Sequence, residues 1–144
     1  MQIPTFSIFS ATSEIFVTIA VLYCILRTLR GDRLPKVLMG VVLTFELCIN
    51  VLYMANRAAA ADTSVQLTAA MKLFFAAHGT LSLVMFLVLV VTYLLSLHNE
   101  SDGKSNWFQR HRTGTYVLLV FWMISVVSGE VIFVMRYVQP SLSA

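Results

Sequence analysis

The sequence predicts an all-α membrane protein: a single domain over residues 1–144, built as a bundle of four transmembrane helices. Both termini are expected outside and both odd-numbered loops in the cytoplasm. Three observations predict this. The chain is 58% hydrophobic and 12% charged, about half the charge of an ordinary soluble domain, and its mean hydropathy is +0.82. Its apolar residues fall into four runs, each near the roughly 20 residues needed to cross the hydrocarbon. Its basic residues gather on two of the three connections. A soluble helical core fails for want of polar surface, and the runs are too long for strands. Nothing is left over for a soluble catalytic domain. The net charge of +3 sits at span ends, where it orients the chain and meets membrane lipids, so nucleic acid is not an expected partner.

Span 1 is expected over about 8–28, with Gly31 and Pro35 breaking it after "RTLRGDR". The preceding "MQIPTFSIFSATSE" lacks a basic n-region and a cleavage site, so span 1 is read as a retained reverse signal-anchor. Span 2 is expected over about 37–56 and span 3 over about 72–97, with Asp62 or Thr63 capping the helix that leads into span 3. The loop "HNESDGKSNWFQRHR" follows, its Trp107 and Phe108 expected at the interface. Span 4 is expected over about 114–136. Arg27, Arg30, Arg33, Lys36, Lys104, Arg110 and Arg112 lie on the odd-numbered connections, against Arg57, Lys72 and Arg136 on the other side. That imbalance fixes the orientation and, with it, insertion in the inner, cytoplasmic membrane as a multi-pass protein. Cys24 and Cys48 differ in depth by about 10 Å, too far for a disulfide.

Ionisable groups inside a bilayer are costly and need an account. Glu14, Asn50, His78 and Glu130 stand one per span, each about six residues (~9 Å) from the outer end. Glu46 lies one turn deeper on the face of Asn50. Ser10, Glu14 and Thr18 repeat at helical spacing, as do Glu46, Asn50 and Tyr53, and His78, Ser82, Met85 and Leu89; span 4 adds Met123 and Glu130, with Ser125, Ser128 and Gly129 beside them. Such stripes meet inside a bundle. The expectation is a polar layer in the outer half, made by Glu14, Glu46, Asn50, His78 and Glu130. Four readings of it stay open. It is a hydrogen-bonded packing network, a metal site on His78, Glu14, Glu46 and Glu130 that Tyr53, Met54 and Met85 tilt towards copper, a proton or quinone site, or a contact with a partner subunit. A haem shared by His78 and His98 is excluded by the ~30 Å between them on one helix. His98 and His111 flank one cytoplasmic loop and are the pair left for haem, against a plainer reading as interfacial residues. No hydrolase, transferase, zinc-protease or nucleotide-loop signature appears, so the chain is not expected to be an enzyme.

The segments "LRGDRLPKVLMG", "NVLYMANR", "FFAAHGTLSL", "WFQRHR" and "FWMISVVSGEVIFVMRY" give a further lead. Over about 9–138 the chain resembles the small four-helix membrane family typified by CtaM/YozB, linked to maturation of aa3-type haem–copper oxidases. The resemblance sets His78 and His111 on two family histidines and also matches Met39 and Tyr53. Two other histidines are absent, replaced by the Pro35–Lys36 stretch and by Arg57. It implies a divergent member, a non-catalytic accessory subunit or assembly factor of a membrane respiratory complex, with larger membrane subunits as partners. The alternatives are a small redox protein binding haem or copper, and a proton or ion conductor. Unbroken apolar stretches from Leu83 to Val91 and from Tyr116 to Met123 weigh against a conductor.

Overall fold

The computed structural model describes residues 5–59, with side chains through 55, and 69–135; Asp62, Thr63 and Arg136 lie outside that range. Helices α1 (Thr5–Leu29), α2 (Lys36–Ala59), α3 (Ala69–Ser101), α4 (Trp107–Arg110) and α5 (Arg112–Phe133) follow in order. Four of them are long and apolar enough to cross a membrane, so the chain is a multi-pass membrane protein with an all-α four-helix bundle. The α1–α2 and α3–α4 turns mark the loop end, and the opposite end is the terminal end.

Gly31 (φ 105°) and Gly103 (φ 69°) turn the chain out of α1 and α3 in the left-handed region, where other residues are strained. Pro35 precedes α2, and its carbonyl accepts from the Met39 amide at 3.0 Å. The four long helices form a ring in the order α1, α2, α3, α5, with α1 and α3 on opposite sides. Helix α1 packs on α2 and on α5, α3 packs on α5, and α2 and α3 touch least. The core is an apolar column of Val17, Val21, Ile25, Met39, Leu89 and Trp122 with their neighbours. Outward positions are equally apolar, Phe16 and Leu73 being 69% and 72% exposed, as lipid-facing helices require. Small hydroxyls let the helices close up: Thr28, Ser96 and Thr115 are fully buried. Each returns its hydroxyl to its own helix, Thr28 to the Cys24 carbonyl (2.8 Å), Ser96 to Thr92 (2.8 Å) and Thr115 to His111 (3.0 Å). Cys24 is buried, Cys48 exposed, and both thiols are free.

The loop end differs from expectation in one respect. Trp107 and Phe108 were to lie together at the interface, but Phe108 is wholly buried in the core and Trp107 packs against it at an edge-on 89°. Asn106 is the reason. Its Oδ1 caps α4 by accepting the Phe108 amide (3.0 Å) and also takes the Ser96 hydroxyl (3.1 Å), while its Nδ2 donates to Glu100 (2.7 Å). The loop is thereby folded back as a short helix. From α4 and α5, Gln109 and Arg112 then donate to the last carbonyls of α1, those of Thr28 (2.9 Å), which also takes the Gly31 amide (3.0 Å), and Leu29 (3.1 Å), groups that a helix end leaves without an intrahelical partner.

Helix α3 has 33 residues, ~50 Å of helix against ~30 Å of hydrocarbon, so its last turn stands clear of the lipid core. There Lys36 pairs with Glu100 at 2.9 Å. Partial burial pushes the Glu100 carboxyl up, but hydrogen bonds from Asn106, Lys36 and the Leu34 amide, with the Lys36 charge, outweigh it and hold the group below the usual carboxylate range. A depressed carboxylate stabilises the fold above its unfolded pKa, and that stability is lost as pH falls through the folded value. Acidification below about pH 4.5 should therefore lower the melting temperature of the purified chain. Lys36→Met should flatten that slope, by less than about 1 kcal/mol because Lys36 is half exposed.

Gly40 sets how closely α2 meets α3. A Cβ there would lie 2.9 Å from the Tyr93 hydroxyl oxygen, which donates to the Lys36 carbonyl at 2.9 Å. Gly40→Ala gains about 1 kcal/mol of helix propensity and loses about as much or more by displacing Tyr93. In a Tyr93→Phe background the clash eases and the same substitution should stabilise. A double-mutant cycle on thermal unfolding should give a coupling of about 1 kcal/mol; additive effects would show that Tyr93 does not govern the site.

Candidate functional site

The polar residues within the spans converge at the terminal end. Glu14, Asn50 and His78 each stand nine residues from the terminal end of their helices, at Thr5, Ala59 and Ala69, or ~14 Å along the axis. Glu130 lies nearer the end of α5. Glu14, Asn50, His78 and Glu130 line one cavity of about 480 Å³ between α1, α2, α3 and α5. Helical spacing explains the convergence. Ser7, Ser10 and Glu14 line it from α1, and His78 and Ser82 from α3. Glu46 sits behind this lining, 4% exposed. It accepts from Asn50 Nδ2 at 2.7 Å, and its carboxyl neighbours that of Glu14.

His78 is held from the other side of the cavity. Its Nδ1 meets the Ser128 hydroxyl at 2.8 Å, and Ser128 in turn donates to the Ser125 carbonyl at 2.8 Å. A Cβ on Gly129 would lie 3.0 Å from the His78 ring, so the glycine makes the seat for the imidazole. The sequence sets Ser128 and Gly129 beside Glu130, but gives no sign that they form the seat of His78. Tyr53 lines the cavity and stacks on Phe6 with ring centroids 6.5 Å apart.

Three expected neighbours fall elsewhere. Met85 is 7% exposed within the apolar core. Met123 lies on a separate lipid-facing groove with Phe74 and Tyr116, because it stands one residue, about 100°, past the buried stripe that holds Trp122. Thr18 is buried among the core residues, and its hydroxyl has no partner among the described residues. His98 and His111 are at the loop end. His98 is exposed, its Nε2 3.7 Å from Asp102, and the His111 ring packs on Trp107 at 5.0 Å. Among the described residues no three histidine, cysteine, aspartate or glutamate side chains gather as a metal ion would need. His78, Glu14, Glu46 and Glu130 are therefore neighbours in a polar layer rather than a formed ligand set.

Below the cavity the bundle is packed with Val21, Leu43, Leu89, Leu118, Leu119 and Trp122. No family model, curated protein or solved structure matches the chain.

Proposed function

We propose that the chain is a non-catalytic accessory or assembly protein of a membrane respiratory complex of the haem–copper oxidase class, lying in the cytoplasmic membrane with its loop end inside. The observation that carries the reading is the seat of His78. The residue that bears the resemblance to the oxidase-maturation family faces an open intramembrane cavity, fixed there by Ser128 and Gly129. A histidine held this way receives a group from outside the chain more readily than one sealed in a core. Two glycines within the spans are used internally, Gly40 under Tyr93 and Gly129 under His78. The larger membrane subunits proposed as partners therefore meet other faces of the bundle. The packed apolar layer below the cavity argues against conduction of ions or protons.

Deleting the chain from its host is the test. Membranes should lose the haem–copper oxidase signal in a reduced-minus-oxidised spectrum and regain it on complementation. An unchanged spectrum with normal oxidase turnover would sink the proposal. Haem or copper absorbance from the purified chain itself would replace it with a redox protein.

A further inference from the structure

We infer that the cavity at the terminal end is a binding site for the head of a neutral isoprenoid quinone or quinol taken up from the lipid phase. Its volume, about 480 Å³, falls in the range of roughly 300–1,000 Å³ typical of small-molecule sites. Its polar groups stand on two opposed walls. Glu14 and Asn50 belong to the α1–α2 pair, and His78 and Ser82 to α3, which packs on α5. A ring with an oxygen at each end meets both walls at once, whereas a sterol or a diacylglycerol offers polar atoms at one end only.

The lining chooses among lipid-soluble molecules by charge as well. Glu14 and Glu130 line the cavity, and none of the described lining residues is a lysine or arginine. A phosphate head would therefore be taken from water without a cation to meet it, while a neutral carbonyl or hydroxyl needs only hydrogen bonds. Both kinds of partner are present. On one wall the Asn50 amide donates, and the Glu14 carboxyl and Asn50 carbonyl accept. With Nδ1 engaged by Ser128, Nε2 is the remaining polar atom of the His78 ring. Between the walls, Phe75 and Phe86 supply aromatic surface for a flat ring. Leu47, Val51 and Leu83 line the side where α2 and α3 touch least, an apolar exit for an isoprenoid tail into the bilayer. Only binding is inferred, and such a site suits an accessory protein and any other small membrane protein alike.

The test uses the full chain in lipid nanodiscs, titrated with a short-tailed benzoquinone and, in a second arm, a short-tailed naphthoquinone. Empty discs of the same lipid give the partition background. Saturable retention of one quinone per chain above that background is expected for at least one of the two rings. His78→Phe, which removes one polar wall, should weaken it by about tenfold or more, and Ser82→Phe, which fills the cavity, should abolish it. Circular dichroism establishes that each variant is folded, and the wild-type titration stands even if one is not. Retention equal to that of empty discs for both quinones would overturn the inference. So would equal affinity in wild type and folded His78→Phe, or native mass spectra in which phospholipid alone occupies the chain in the presence of quinone.

Discussion

Phe108→Ala lowers the stability of the purified chain by about 4 kcal/mol, the cost of emptying a well-packed phenylalanine site. The side chain is fully buried, and it belongs to a four-residue helix too short to hold itself. Helix α4 touches α1, α3 and α5, so the ring ties the loop end of three spans together. The damage should extend beyond the cavity left behind. If α4 loosens, Gln109 and Arg112 no longer cover the Thr28 and Leu29 carbonyls. Thermal unfolding in detergent measures the total. Hydrogen exchange should show new opening at the last turn of α1 while the terminal half of the bundle keeps its protection. A loss under about 1 kcal/mol, the ordinary size for a surface substitution, would mean that Phe108 lies at the lipid interface after all, as its loop suggested.

That residue shows where sequence reasoning reaches and where it stops. The spans were legible because hydrocarbon imposes length and composition on any helix that crosses it. The described helices begin one to three residues before each expected start, since hydropathy marks the lipid-buried part and hydrogen bonding continues past it. Glu14, Asn50, His78 and Glu130 stand one per span and line one cavity, although Glu130 lies nearer its helix end than a common depth implies. Phe108 was not legible, because the polar loop around it conceals a cap. Asn106 caps the nearby Phe108 amide locally, but it also engages Ser96 and Glu100, and only the folding back of the loop brings those two within its reach. Glycines are ambiguous in a similar way. A small residue announces that something comes close but not from which side, and Gly40 and Gly129 turn out to receive Tyr93 and His78 from within the bundle. Met123 shows the limit of counting by sevens. It is in phase with Glu130, yet both lie on the flank of the buried stripe of α5, and Glu130 reaches the cavity because the bundle is open at that end.

Glu46→Leu should cost about 2–3 kcal/mol, although it replaces a polar side chain with an apolar one in the middle of a membrane helix. By transfer energy alone the substitution favours insertion. The loss comes from what Glu46 serves. It is the acceptor for Asn50 Nδ2 and the partner of the Glu14 carboxyl, and leucine offers neither group a replacement where water is scarce. Glu46→Gln keeps an oxygen for Asn50 and gives Glu14 an amide donor, so it should stay within about 1 kcal/mol of wild type. The double variant Glu14→Leu/Glu46→Leu carries the decisive comparison. Removing both carboxyls leaves only Asn50 unpaired, so the pair should cost less than the sum of the singles, with a favourable coupling of about 1–2 kcal/mol. Thermal inactivation of the four proteins in one detergent measures it. Additive losses would show that the two carboxyls do not interact. A Glu46→Leu variant as stable as wild type would show that the layer contributes no stability, leaving ligand binding as its remaining use.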